Sequence, residues 1–185
     1  MTVRTPALLA ALAAASTFAA PQVARDGWVE FYSTTPVETI QAVTKTAVSS
    51  LDPSTGKLSI RMRNTTFEFA NKLMQEHFNE NYMESEKFPV SGFDGFVKSL
   101  DTAGLNSGKK IFVNVEGSLE VHGVKKPRTI PATLWKLSDG SVKGECVFPV
   151  KMAEHDIKIP SLLTKKFTEE MRVTAKFDWK PEVKK

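Results

Sequence analysis

Residues 111–150, IFVNVEGSLEVHGVKKPRTIPATLWKLSDGSVKGECVFPV, alternate between apolar and polar more strictly than any other part of this 185-residue chain. Ile111, Val113, Val115, Gly117, Leu119 and Val121 fall on one side of the pattern, and Asn114, Glu116, Ser118, Glu120 and His122 on the other. Successive side chains of a strand point to opposite faces, so this stretch predicts one buried face and one wet face. The HGVKKP segment at 122–127 turns the chain, and 129–137 return it with Ile130, Ala132 and Leu134 facing in. Ser138-Asp139-Gly140 is a tight-turn signal that leads into Val142, Gly144, Cys146, Phe148 and Val150 at period two, which reads as a hairpin.

The same period extends outward in both directions. Met171, Val173, Ala175, Phe177 and Trp179 alternate with Arg172, Thr174, Lys176 and Asp178 in a last strand. Upstream, a strand is expected at 28–33, a weakly alternating one at 38–49, and a third through Leu58, Ile60 and Met62 that runs on towards Phe67 and Phe69. Another is expected from Phe93 to Leu100, closed by turn residues at 102–104 and 106–108. The register puts Val113, Val115, Leu119, Leu134, Phe148, Val173 and Phe177 inside, and Glu116, Glu120, Lys143, Arg172 and Lys176 outside.

One segment breaks the alternation. In FEFANKLMQEHFNENYMESEKFPVSGFDG at 67–95, Ala70, Leu73, Met74, His77, Phe78, Asn81 and Tyr82 recur at helical spacing, opposite Lys72, Gln75, Glu76, Asn79 and Glu80. Such a stripe belongs to a helix with a core beneath it, ended by Pro89. It is either an ordinary connector or, over a barrel, a lid.

About eight strands joined mostly by short turns imply antiparallel neighbours. They close into a barrel without exposed edges, or stack as a two-layer sandwich with a solid core. Gly117 and Gly144 on the inner face favour the all-β barrel of about eight strands, with the amphipathic helix inserted between strands.

Composition bounds the function classes. With 41% hydrophobic and 25% charged residues, the chain suits one globular domain over 20–185. At 1–19, Arg4 precedes the apolar run ALLAALAAASTFA, too short to span a membrane and suited to a signal peptide, so export to a periplasm or the outside is expected. The net charge of +4 is scattered, with pairs at Lys109-Lys110, Lys125-Lys126, Lys165-Lys166 and Lys184-Lys185. These suit peripheral contact with an anionic membrane, whereas no aromatic and arginine platform marks nucleic acid. Cys146 is the one cysteine, so no internal disulfide forms. His77, His122 and His155 lack metal-ligand spacing, and no cofactor motif, metal motif or catalytic set is legible.

HFNENYMESEKFPVSGFDG at 77–95, GSLEVHGVKKP at 117–127 and PVKMAEHDIKIP at 149–160 together resemble the YceI-like proteins, over about Trp28 to Trp179. His77, Tyr82, Phe88, Pro89 and Phe93 match the first motif of that family, and Gly117, Leu119, Gly123, Lys126 and Pro127 the second. The third departs from it, because Ile157-Lys158 follow Asp156 where many members have an aromatic and a glycine. The resemblance implies a lipocalin-like barrel, usually exported, whose interior holds a polyisoprenoid or similar amphiphilic lipid.

Three functions stand at this point: an exported lipid carrier or reservoir, a partner-binding barrel with a solid core (a dimer included), and an enzyme acting on a hydrophobic substrate. For the first, the expected ligand-lining residues are Leu73, Met74, Phe78, Tyr82, Phe88 and Phe93 from the helical segment. Val113, Val115, Leu119, Leu134, Phe148 and Phe177 are expected from the strands.

Overall fold

The computed structural model of the chain describes residues 21–34, 38–159 and 170–181. The expected signal peptide at 1–19 and the Lys165-Lys166 and Lys184-Lys185 pairs lie outside them. Eight long strands are present: β1 (Gln22–Thr34), β2 (Thr39–Leu51), β3 (Lys57–Arg63), β5 (Val90–Lys98), β6 (Ile111–Val121), β7 (Val124–Lys136), β8 (Val142–Lys151) and β9 (Glu170–Pro181). A two-residue strand, β4 (Glu68–Phe69), pairs with β2. Hydrogen-bonded neighbours run β1-β9-β8-β7-β6-β5-β3-β2, and β2 pairs back to β1, so the sheet is a closed antiparallel barrel. That closure settles barrel against sandwich.

The weak alternation of the second strand has a structural cause. Register shifts between Ala24 and Gly27 and between Gly27 and Val29 set Val29 opposite Thr44 and Gly27 opposite Ala47. Thr44 and Ala47 are both buried while Lys45 and Thr46 are both exposed. A bulge adds one residue to the strand and exchanges its faces beyond that point.

Two expectations need correction. The third strand does not run through to Phe67 and Phe69, because a 3₁₀ turn at Asn64–Thr66 ends it. Asn64 is fully buried there, donating to the Phe88 carbonyl at 2.6 Å and accepting from Ser91 Oγ at 2.8 Å. The turn expected near 102 is a short helix, α2 (Thr102–Asn106), capped by Asp101, whose Oδ1 accepts from the Gly104 N–H at 2.9 Å.

The two ends of the barrel differ. One end gathers the β2–β3, β5–β6 and β7–β8 turns with α2, whose Leu105 is buried beneath it. The other carries the 64–89 excursion, the β6–β7 turn at His122-Gly123 and the 3₁₀ turn Met152–His155. The excursion holds α1 (Lys72–His77), which continues as a single π turn, Phe78–Tyr82. Asn71 caps α1, its side chain accepting from Leu73 N and Met74 N.

Candidate functional site: a cavity inside the barrel

The stripe on α1 is expected to rest on a core, and Met74 and Phe78, both half-buried, do pack against it, although no residue of α1 or of the π turn is fully covered. The helix also roofs an open space: an apolar cavity of about 510 Å³ runs inside the barrel below it. On β9 the wall takes every inward residue from Met171 through Val173, Ala175 and Phe177 to Trp179. The cavity thus follows that strand over eight residue steps, roughly 26 Å at about 3.3 Å per step.

Most of the residues expected to line a ligand lie on this wall: Leu73, Met74, Phe78, Tyr82, Phe93, Val115, Leu119, Leu134, Phe148 and Phe177. Two do not. Val113 packs against the core without reaching the cavity. Phe88 is turned away, its ring 4.5 Å from that of His122 and over the bare Cα of Gly123, where a Cβ would come within 2.6 Å of it.

Sequence reasoning missed two groups. Phe31 stacks on Phe78 (5.2 Å, 24°) and, with Phe67 and Phe69, builds an aromatic cluster under the roof, Phe31 and Phe78 each lying within 5.1 to 5.9 Å of both other rings. Every methionine except Met1 is on the wall: Met62, Met74, Met83, Met152 and Met171. Unbranched, polarizable side chains adapt to irregular apolar shapes, so their concentration at one cavity was the legible signal. Ile157, the departure from the family motif, packs on Met83 and Met152.

The inner-face glycines Gly117 and Gly144 make room for ring side chains. The space they free is filled by rings: a Cβ on Gly117 would lie 2.7 Å from Phe93 Cζ, and one on Gly144 2.6 Å from Trp179 Cζ3.

Polar groups on the wall sit mostly near the roof, where Glu38, Asn71, His77 and Tyr82 line the cavity. Burial, with Glu38 adding to it, pushes the Tyr82 phenol above its ordinary value, so it stays a neutral hydroxyl at the rim. Cys146 also lines the wall, and burial pushes its thiol up to about 11. His122 and His155 are spent on structure. His122 contacts Glu84 and the His155 carbonyl, and His155, fully buried, donates from Nδ1 to the Val124 carbonyl at 3.0 Å. Among the described residues no group of three or more His, Cys, Asp or Glu is placed to hold a metal ion.

A closed eight-stranded barrel with an elongated apolar interior and polar groups gathered at one end defines a lipocalin-like barrel. The YceI-like domain profile matches residues 23–179, and the chain belongs to that family. Among solved structures it resembles a polyisoprenoid-binding domain from Saccharophagus degradans implicated in plant cell wall breakdown. That match has a TM-score of 0.75 at 14% identity, covering 88% of this chain and 98% of the other. BcnA of Burkholderia cenocepacia follows with a TM-score of 0.69 at 16% identity, covering 82% and 95%. The YceI protein of Campylobacter jejuni gives 0.57 at 15% identity, covering 74% and 81%. No curated protein matches the chain in sequence.

Proposed function

We propose that this protein binds the apolar chain of a long amphiphilic lipid, a polyisoprenoid or a molecule of similar shape, inside the barrel, as an exported carrier or reservoir. The observation that carries this reading is the cavity, apolar along the whole of β9 and polar mainly at its roofed end. Burial of apolar surface contributes about 25 cal/mol per Å², so a long chain is held without many polar contacts. The binding domain from Saccharophagus degradans, named for polyisoprenoids, shares the fold and lends support.

Binding rather than catalysis fits the roles of the histidines, two of which are committed to turns. Export rests on the Ala- and Leu-rich run behind Arg4. Uptake from an anionic membrane would present the roofed end, where Leu73 is 57% exposed. Lys125 stands at that end and Lys110 at the opposite one, so the lysine pairs at 109–110 and 125–126 do not form one patch.

Native mass spectrometry of the purified protein, with solvent extraction, tests the reading: a lipid with a long apolar chain is expected at up to one per barrel. A protein that carries none, and takes none from vesicles, overturns it. N-terminal sequencing of exported protein should begin at Ala20 or within a few residues of it, and an intact Met1 would refute the export part.

A further inference from the structure

Trp179 stands at the deep end of the cavity wall, and three contacts hold its indole. Its Nε1–H donates to Ser49 Oγ at 2.9 Å, and Ser49 Oγ in turn donates to the Ser59 carbonyl at 2.9 Å. Its ring stacks on Phe177 at 5.4 Å and 20°. Gly144 supplies the seat, since any Cβ there would collide with the ring, and Leu134 flanks the same spot. Trp179 is 3% exposed and is the last inward residue of β9 on the wall. Leu105 of α2, buried at that end, is not part of the wall.

A tryptophan buried beside a ligand space must satisfy its N–H or leave a costly orphan donor. Here Ser49 takes the N–H, so the indole offers the cavity only carbon. A ring held by a hydrogen bond, a stack and a glycine seat would give up all three by swinging into the open cavity and would leave its N–H without a partner, so the indole stays at the wall. The cavity therefore has a hard end, while the roofed end is built from a short helix and adaptable methionines.

We propose that Trp179 is the stop against which the buried end of the ligand chain rests, so that it sets the longest chain the barrel accommodates in full. The proposal rests on the lipid-binding reading above. Each added methylene within reach of the stop should tighten binding by about fourfold, and each one beyond it should add nothing.

The test is a homologous series of straight-chain saturated fatty acids, short to very long, titrated by displacement of a fluorescent lipid probe. In the wild type, affinity should climb with length and then level off at a break. Trp179→Phe should shift the break to longer chains and Trp179→Leu further still. Ala175→Phe, which places a ring nearer the roof in open space, should shift it to shorter chains. Thermal unfolding of each lipid-free variant accompanies the titrations, and Trp179→Phe keeps a ring in the seat should the leucine variant unfold. An unmoved break in a folded Trp179 variant, or affinity that never levels off in the wild type, overturns the stop while leaving lipid binding intact. A wild type that binds no member of the series, and no vesicle lipid, overturns both.

Discussion

His122 Nε2 lies 2.8 Å from Glu84 Oε2, and the same ring presents Nδ1 to the His155 carbonyl at 3.1 Å. His122 sits in the β6–β7 turn with a left-handed backbone (φ 52°), Glu84 follows the π turn, and His155 ends the 3₁₀ turn that brings Met152 to the wall. One imidazole thus ties together the two segments that border the cavity at its roofed end. A carboxylate and a carbonyl are both acceptors, so the ring meets each of them through a nitrogen.

Removing that tie should loosen the roof more than the barrel. His122→Asn keeps a residue type tolerant of the left-handed backbone but cannot span both partners, and should cost about 1–3 kcal/mol. Glu84→Gln retains a polar partner on a half-exposed side chain and should cost less than about 1 kcal/mol. Urea unfolding gives both values. Hydrogen exchange should rise first in 78–90 and 152–157 for His122→Asn, and exchange that rises uniformly along β5–β9 would refute the local role.

Acidification should destabilise the fold through His155. Desolvation by burial, the largest cause, holds this ring below its ordinary 6.5, with Arg128 acting in the same direction. The Val124 carbonyl and Glu154 oppose that shift. Because the folded-state value is the depressed one, the neutral ring's contribution is fully present above about pH 6.5 and fades as pH falls below it. Stability measured by urea unfolding from about pH 8 to about pH 5 should decline in the wild type and decline less in His155→Gln. Equal slopes in the two proteins would show that another group carries the dependence.

Cys146 should behave as a core residue. With its thiol pushed up to about 11, only about one in a thousand is thiolate at pH 8, and the side chain lies on the cavity wall. Alkylation by iodoacetamide should be slow in the native protein, slower with lipid bound, and fast in denaturant. Rapid native alkylation that lipid does not slow would place the thiol outside.

The roof should bear on lipid retention. Phe78→Ala removes the ring shared by Phe31, Phe67 and Phe69. Since Phe78 is only half-buried, it should cost about 1–3 kcal/mol, below the 3–5 typical of fully buried Phe. Met74→Trp fills the space instead and should lower co-purified lipid while the thermal midpoint of lipid-free protein stays near wild type. Unchanged lipid stoichiometry in both folded variants would mean that the roof is only a connector.

The sequence by itself determined the faces of the strands. Val115, Leu119, Leu134, Phe148, Val173 and Phe177 are inward and Glu116, Glu120, Lys143, Arg172 and Lys176 are not, because side-chain alternation is a local property of extended backbone. The helical stripe of 70–82 was legible for the same reason, through Met74, Phe78 and Tyr82. What lay beneath that stripe was not, since periodicity reports an apolar neighbourhood without saying whether it is packed or empty. Only the tertiary structure decided that the barrel closes through β1 and β2, that a bulge exchanges the faces near Ala24 and Gly27, and that the interior is open. It also decided that Phe88 turns to His122, and that Phe31, Phe67 and Phe69 meet Phe78. Trp179 occupies the space above Gly144 by the same kind of contact. Each depends on residues distant in sequence coming together, and on the volume left once they have, which no local pattern encodes.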